Sequence, residues 1–292
     1  MLRLPALLAV LLAATAAAAD FSGDAALEFT RRAVGFGPRP SGSDPNLQLQ
    51  AYILDQLKQC KCQVTEDSFR GSTPRGQISM KNIIAKFPGK PRTAGAPVNA
   101  IVVTGHFDTK YFPGRKFVGA SDGGSSTGLL LELAKVFAGE ARTDDVYLVF
   151  FDGEEAVGEW SDTDKLYGSR HLAQRWRADG TLARIKGLIN VDMIGDRNLN
   201  IRQELNSNAK LRQLVWRTAA DLGYQAFFVQ ATITIDDDHM PFIEQGTPSL
   251  DLIDFDYPPW HEDTDTMDKI SAQSLQIVGR VVAESVRRLE RQ

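Results

Sequence analysis

Val149-Phe150-Phe151-Asp152-Gly153-Glu154-Glu155-Ala156 is an apolar run that ends in a glycine turn and delivers three carboxylates within four residues. The run reads as a buried strand. Acids crowded at the end of a core strand repel one another unless a cation or a proton-transfer task holds them there. Adjacent glutamates at a strand end point in different directions, so one can ligate a metal while its neighbour faces a substrate as a base. A solvated acidic turn is the bland alternative for the stretch taken alone.

Acids and imidazoles recur just past the other strand candidates. Gly105-His106-Phe107-Asp108 follows Ala100 to Thr104, and Gly119-Ala120-Ser121-Asp122-Gly123 follows the next loop. Asp192 follows Gly187 to Val191, and Trp260-His261 follows Ser249 to Ile253 after a short loop. Two of the chain's four histidines therefore fall at strand ends. Singly, His106 reads as a hydrogen-bonded core histidine, Asp122 as a helix cap and Asp192 as a turn residue. Jointly, imidazole and carboxylate without thiolate suit zinc, or less selectively manganese or cobalt, at about 2.0–2.2 Å with a position left open for water or substrate. Five such ligands sharing one aspartate would suit two metals about 3.5–4 Å apart.

The elements that must position these residues alternate. The pattern predicts helices over Asp24 to Val34, from Asp44 (as cap, with Pro45 in the first turn) through Leu57, and over Ser125 to Phe137, Ser169 to Arg177, Ser207 to Leu222 and Ser271 to Arg291. Leu129, Leu130, Leu133 and Phe137 mark the core side of an amphipathic third helix. Gly35 to Ser43 reads as a loop, Gln63 to Phe69 and Gln77 to Phe87 as paired strands joined across 71–76, and 88–97 as a surface connection. Val146 to Phe151, Ala226 to Val229 and the strands named above complete an α/β pattern: one globular domain with a central mixed, mostly parallel sheet flanked by helices. In such sheets the ligand crevice lies at the carboxyl ends of the strands.

Composition narrows the function classes. The 292 residues are 43% hydrophobic with a formal charge of -4 and no basic footprint, which argues against nucleic acid as a partner. Residues 1–19 carry Arg3, an apolar stretch from Leu4 and a final Ala17-Ala18-Ala19, the pattern of a signal peptide, so the mature domain is expected to span 20–292. Export to the periplasm or medium, no stable membrane insertion after cleavage and a monomeric state are the corresponding expectations. Cys60 and Cys62, one residue apart, are too close to bridge without strain, so no disulfide framework holds the fold.

The sequence resembles a known family. Gly105-His106-Phe107-Asp108, the block ending at Asp122, Glu154-Glu155 and His261 look like the zinc aminopeptidases of the di-zinc exopeptidase (phosphorylase/hydrolase-like) fold. It is closer to their offshoot, the glutaminyl-peptide cyclotransferases, through Asp108-Thr109-Lys110-Tyr111-Phe112, through Trp160-Ser161 and Leu166-Tyr167-Gly168-Ser169-Arg170-His171 after the Glu154 block, through Asp237-Asp238-His239-Met240-Pro241-Phe242, and through Trp260-His261. The resemblance implies Asp122, Glu155 and His261 as zinc ligands, Glu154 as the acid/base, and Asp192 and Asp237 as partners in a buried carboxylate network. It implies Trp160 and Trp260 as pocket walls, with Asp238 beside the substrate at the floor. His106 matches a histidine that aminopeptidases use, with Asp192, for a second zinc. Two features depart from the animal cyclases: the half-cystine pair flanking the site is missing, with Gly105 before His106, and Asp256-Tyr257-Pro258-Pro259 differs from the usual loop.

The implied reaction is cyclisation of an N-terminal glutamine of a peptide or protein to pyroglutamate with loss of ammonia, using one zinc per chain, with a second possible. A metallo-aminopeptidase with one or two zinc ions would use the same parts with water as nucleophile. A binding module that keeps zinc structurally would leave Glu154 without a purpose.

Overall fold

The computed structural model of the chain describes residues 20–91, 93, 95 and 98–292. The expected leader 1–19 and positions 92, 94, 96 and 97 of the expected surface connection lie outside the described residues. Seven helices and eight strands follow one another as α1 (Gly23–Val34), α2 (Asp44–Lys58), β1 (Gln63–Thr73), β2 (Gly76–Phe87), β3 (Ala100–His106), α3 (Gly124–Ala138), β4 (Asp145–Phe151), α4 (Tyr167–Ala178), β5 (Ile185–Asp192), β6 (Ile201–Glu204), α5 (Ala209–Asp221), β7 (Phe228–Ile233), α6 (Met240–Ile243), β8 (Ser249–Ile253) and α7 (Ala272–Glu290) among the described residues. None of these helices is long and apolar enough to cross a membrane.

Six strands form one sheet in the order β1-β2-β4-β3-β5-β8, parallel from β4 to β8 and antiparallel where the β1–β2 hairpin joins β4. The four parallel strands are buried along their whole length except at Lys186 of β5, as expected of strands covered on both faces. Ile101, Val103, Leu148, Phe150, Ile189 and Val191 pack on one face with α1, α2, α3, α5 and α7. The alternate residues Val102, Val149, Phe151 and Leu188 pack on the other with Leu172 and Trp176 of α4 and Phe242 of α6. The chain leaves β3 for β4 on one side and returns to β5 on the other, so the crevice opens at the carboxyl end of β3.

Several expectations shift. Ser43, whose hydroxyl accepts the Asn46 N–H at 3.3 Å, caps α2, with Asp44 inside the first turn. The β1–β2 hairpin runs to Thr73 and Gly76, leaving a two-residue turn where a six-residue loop was expected. Helix α3 is buried nearly all round instead of on one side, because α1 covers its outer face: a Cβ at Gly128 would lie 2.1 Å from Thr30 Oγ1. The strand expected at Ala226 to Val229 lies at Phe228–Ile233 and pairs with β6, a strand the sequence pattern did not reveal, in a separate two-stranded parallel sheet. The four residues of β6 are too few to display a period.

The carboxyl end of β6 holds a loop of the site. Glu204, fully buried, accepts from the N–H groups of Asn206 (3.0 Å), Ser207 (2.7 Å) and Ile235 (3.2 Å), and His239 Nε2 lies 3.2 Å away. Burial opposes its charge, but His239 and these donors hold the carboxyl down at about 2. A depressed folded value stabilises the fold fully above the ordinary glutamate value of about 4.3, and that stabilisation is lost as pH falls through the folded one. Glu204→Gln should therefore cost about 2 kcal/mol at neutral pH, the gap to wild type closing between about pH 4.5 and 2 in denaturant unfolding. A pH-independent gap would contradict this origin.

Candidate metal centre and active site

His106 ends β3, Asp192 ends β5, and Asp122 stands two residues before α3. His106 Nε2 lies 3.1 Å from Asp192 Oδ1 and 3.2 Å from Asp122 Oδ1. His261, on the loop after β8, brings Nε2 to 3.2 Å from Glu155 Oε1 and 3.5 Å from Asp122 Oδ2. Asp122 thus belongs to two trios whose ligand atoms all lie within 4.8 Å of one another: His106, Asp122 and Asp192, and Asp122, Glu155 and His261. Glu154 joins neither, its Oε2 standing 3.9 Å from His106 Nδ1.

The three acids after β4 diverge, as their spacing allowed. Asp152 turns away from the site and accepts from Ser41 Oγ (2.7 Å), Asn46 Nδ2 (3.1 Å) and the Lys81 N–H (2.9 Å). Gly153 follows at φ 75°, a turn that frees Glu154 and Glu155 to face the crevice. Their N–H groups donate to the two oxygens of Asp108, at 3.2 and 3.4 Å. Two non-glycine residues of the site also hold positive φ, Met193 (47°) beside Asp192 and His261 itself (56°). Such backbone costs about 1–3 kcal/mol each and is kept only where surroundings impose it.

Two buried residues that the sequence pattern did not single out impose much of that geometry. Asp265 accepts from the N–H groups of Ser121 (2.9 Å) and Asp122 (3.1 Å) and from the Tyr257 hydroxyl (2.6 Å). Arg39, fully buried in what read as a plain loop, donates to the carbonyls of Phe107 (2.8 Å), Gly119 (2.9 Å) and Val118. It clamps the segment after His106 to the segment before Asp122, and desolvation lowers its pKa to about 10. No local pattern marks either residue, since each acts across a large sequence separation.

A cavity of about 480 Å³ opens over the trios. Trp160 and Trp260 line it, each about two-fifths exposed, with Phe255, Ile235 and Lys110. Trp260 stacks on His261 (4.3 Å, 23°), while Phe112 and Phe117 meet the same imidazole edge-on, so aromatic packing fixes the ring. Trp160 Nε1 donates to Asp236 at 3.2 Å, and Lys165 pairs with the same carboxylate. Asp237 lines the cavity. Asp238 corrects an expectation: it is fully buried and does not line the cavity, and Asp236, two residues earlier, reaches the wall instead. All three aspartates lie in the irregular loop between β7 and α6, where no strand or helix period tells which side chain faces the cavity.

The electrostatics divide the acids. Burial, with Glu155, Asp237 and Asp238 adding to it and His106 opposing, pushes Glu154 well above the ordinary carboxyl range. Burial likewise pushes Asp192 up to about 6 against the pull of His106. Asp122 is held below its ordinary value: burial works against this, but His106, His261 and Arg39 prevail. Asp122 Oδ2 and Glu155 Oε2 are buried without a hydrogen bond among the described residues. Unsatisfied buried carboxylate oxygens beside an imidazole fit a cation, and oxygen and nitrogen donors without sulfur fit zinc.

Residues 82–286 match peptidase family M28. The chain belongs to this family. The M28 chain is 30% identical over 278 residues to a glutaminyl-peptide cyclotransferase of Drosophila melanogaster, covering 84% of this chain and 76% of that protein. The crystal structure of Acidobacteriales bacterium glutaminyl cyclase superposes with a TM-score of 0.88 at 38% identity over 97% of this chain and 99% of that one. A Zn-dependent exopeptidase from Parabacteroides distasonis superposes with a TM-score of 0.81 at 26% identity, over 92% and 98% of the two chains. The fold expected from the motifs is the fold observed.

Zinc added to metal-stripped protein should raise Tm by roughly 5 °C or more at saturating concentration. Asp122→Asn should remove most of that shift in differential scanning fluorimetry, because Asp122 is common to both trios; an unchanged shift would place the cation elsewhere.

Proposed function

We propose that this M28 chain is a zinc-dependent glutaminyl-peptide cyclotransferase, converting N-terminal glutamine of peptides or proteins to pyroglutamate and ammonia. The observation that carries the reading is Glu154: a buried carboxyl with a raised pKa that faces the cavity outside both ligand trios, in a chain similar along its whole length to a glutaminyl cyclase. A structural cation site gives such a group no task.

In this reading Asp122, Glu155 and His261 would hold one zinc, which would supply Lewis acidity toward the side-chain carbonyl of the substrate glutamine. Trp160 and Trp260 enclose the glutamine side chain and keep water out, since water would compete with the α-amine. Glu154 accepts a proton from the α-amino group as its nitrogen attacks the amide carbon, and returns it to the departing nitrogen. The new C–N bond closes the ring, the old one breaks, and ammonia leaves with the proton balance restored. Asp192 and Asp237 share the buried charge beside Glu154 and orient the leaving amide nitrogen, acting as a coupled set. Lys110, whose Nζ donates to the Ala156 carbonyl at 3.2 Å, tethers the loop that carries Glu155.

The trio of His106, Asp122 and Asp192 favours a second reading, a two-metal aminopeptidase. Export after cleavage following Ala19 completes the proposal, on the leader-like composition of residues 1–19.

Incubation with Gln-Ala should release ammonia and pyroglutamyl-alanine, while Leu-Ala, whose side chain offers no carbonyl, should remain intact. Hydrolysis of Leu-Ala with free glutamine from Gln-Ala would decide for the aminopeptidase. Glu154→Gln should lower kcat at least 100-fold while zinc content stays at the wild-type level.

A further inference from the structure

One row crossing three neighbouring core strands is polar throughout. Thr104 of β3 pairs in register with Asn190 of β5, and Asn190 with Asp251 of β8. All three are almost completely buried. Side chains repeat along a strand every two residues, so this row lies on the same face as His106 and Asp192, one step below them. Its neighbours one step further down, Val102 and Leu188, belong to the apolar core. Polar groups in such a place lose several kcal/mol of hydration unless they are paired, so an apolar row would fold more readily.

The hydrogen bonds show what the row holds. Thr104 Oγ1 donates to Asn190 Oδ1 at 2.7 Å, which fixes the orientation of the amide. Asn190 Nδ2 then donates to Asp251 Oδ1 at 3.1 Å and to Asp237 Oδ2 at 3.0 Å. The other oxygen of Asp237, Oδ1, accepts from the N–H of Asp238. With both oxygens held, the plane of the Asp237 carboxylate is set from beneath by the sheet. Burial and the charges of Asp237 and Asp192 push the Asp251 carboxyl well up.

We infer that Asn190, oriented by Thr104 and anchored on Asp251, is a positioning residue that sets the Asp237 carboxylate for the cyclisation, an inference resting on the cyclotransferase reading above. A carboxylate tilted out of place leaves folding and zinc binding intact and slows the chemical step, because orientation contributes to the barrier and little to substrate affinity. Asn190→Leu, close in volume and without a donor, should lower kcat for Gln-Ala at least tenfold, with KM changed less than threefold and zinc content at the wild-type level. In an Asp237→Asn background the same substitution should cost less than twofold, since the group it orients is already lost. A merely structural role would cost the same factor in both backgrounds, and that result, or a wild-type kcat in Asn190→Leu, overturns the inference. Should Asn190→Leu fail to fold, Thr104→Val carries the same cycle with a threefold loss expected against wild type and none on Asp237→Asn; equal losses again overturn it. Wild-type turnover, measured alongside, judges the cyclotransferase reading by itself: if Leu-Ala is the peptide consumed, that reading fails and the cycle, run on Leu-Ala, still decides on Asn190.

Discussion

Asp122, Glu154, Glu155, Asp192, Asp237 and Asp238 are all buried around one point at the carboxyl edge of the sheet. Removing one carboxylate from water costs several kcal/mol even after relaxation, and placing it beside others adds repulsion. A fold tolerates this only by supplying cations, protons and donors to the group, and each supply is visible. His106 and His261 stand between the acids, Arg39 lies fully buried behind Asp122, and raised pKa values leave Glu154 and Asp192 able to carry protons. Of the carboxylate oxygens of these six left without a hydrogen bond among the described residues, on Asp122, Glu155 and Asp238, those of Asp122 and Glu155 stand in one trio with His261 and mark where a dication belongs.

This constraint divides the labour among residues that look alike in sequence. Glu154 and Glu155 share an anchor in Asp108, yet one faces a histidine of one trio and the other belongs to the second trio. Asp237 and Asp238 part in the same way, one into the cavity and one behind it. The positive φ of Met193 and His261 is backbone energy spent on aiming side chains, offset by the packing of a sheet whose parallel strands are almost wholly buried.

Much of this was legible beforehand because it follows local rules. The buried runs of β3, β4, β5 and β8, the acids and imidazoles at their ends and the order of helices are all carried by short-range patterns, whereas the choice of Asp122, Glu155 and His261 among those acids and imidazoles as ligands came from the resemblance. Which of Asp236, Asp237 and Asp238 faces the cavity is set in the irregular loop between β7 and α6, where side chains follow no period. Arg39, Asp265 and the row of Thr104, Asn190 and Asp251 were invisible for a different reason. Their partners lie tens of residues away, and Thr104 and Asn190 sit inside runs that read simply as buried strand. Strand β6 escaped because four residues carry no period.

The claim on which the account stands is that the buried charge is balanced by one zinc held by Asp122, Glu155 and His261, with Glu154 left free to move protons. Anomalous diffraction at the zinc edge, from crystals grown with one equivalent of zinc, reads this directly. The account predicts a single peak about 2.0–2.2 Å from a ligand atom of each of those three residues and outside bonding distance of Glu154. A peak bonded to Glu154, or one held by His106 and Asp192 with Glu155 and His261 out of reach, would contradict it.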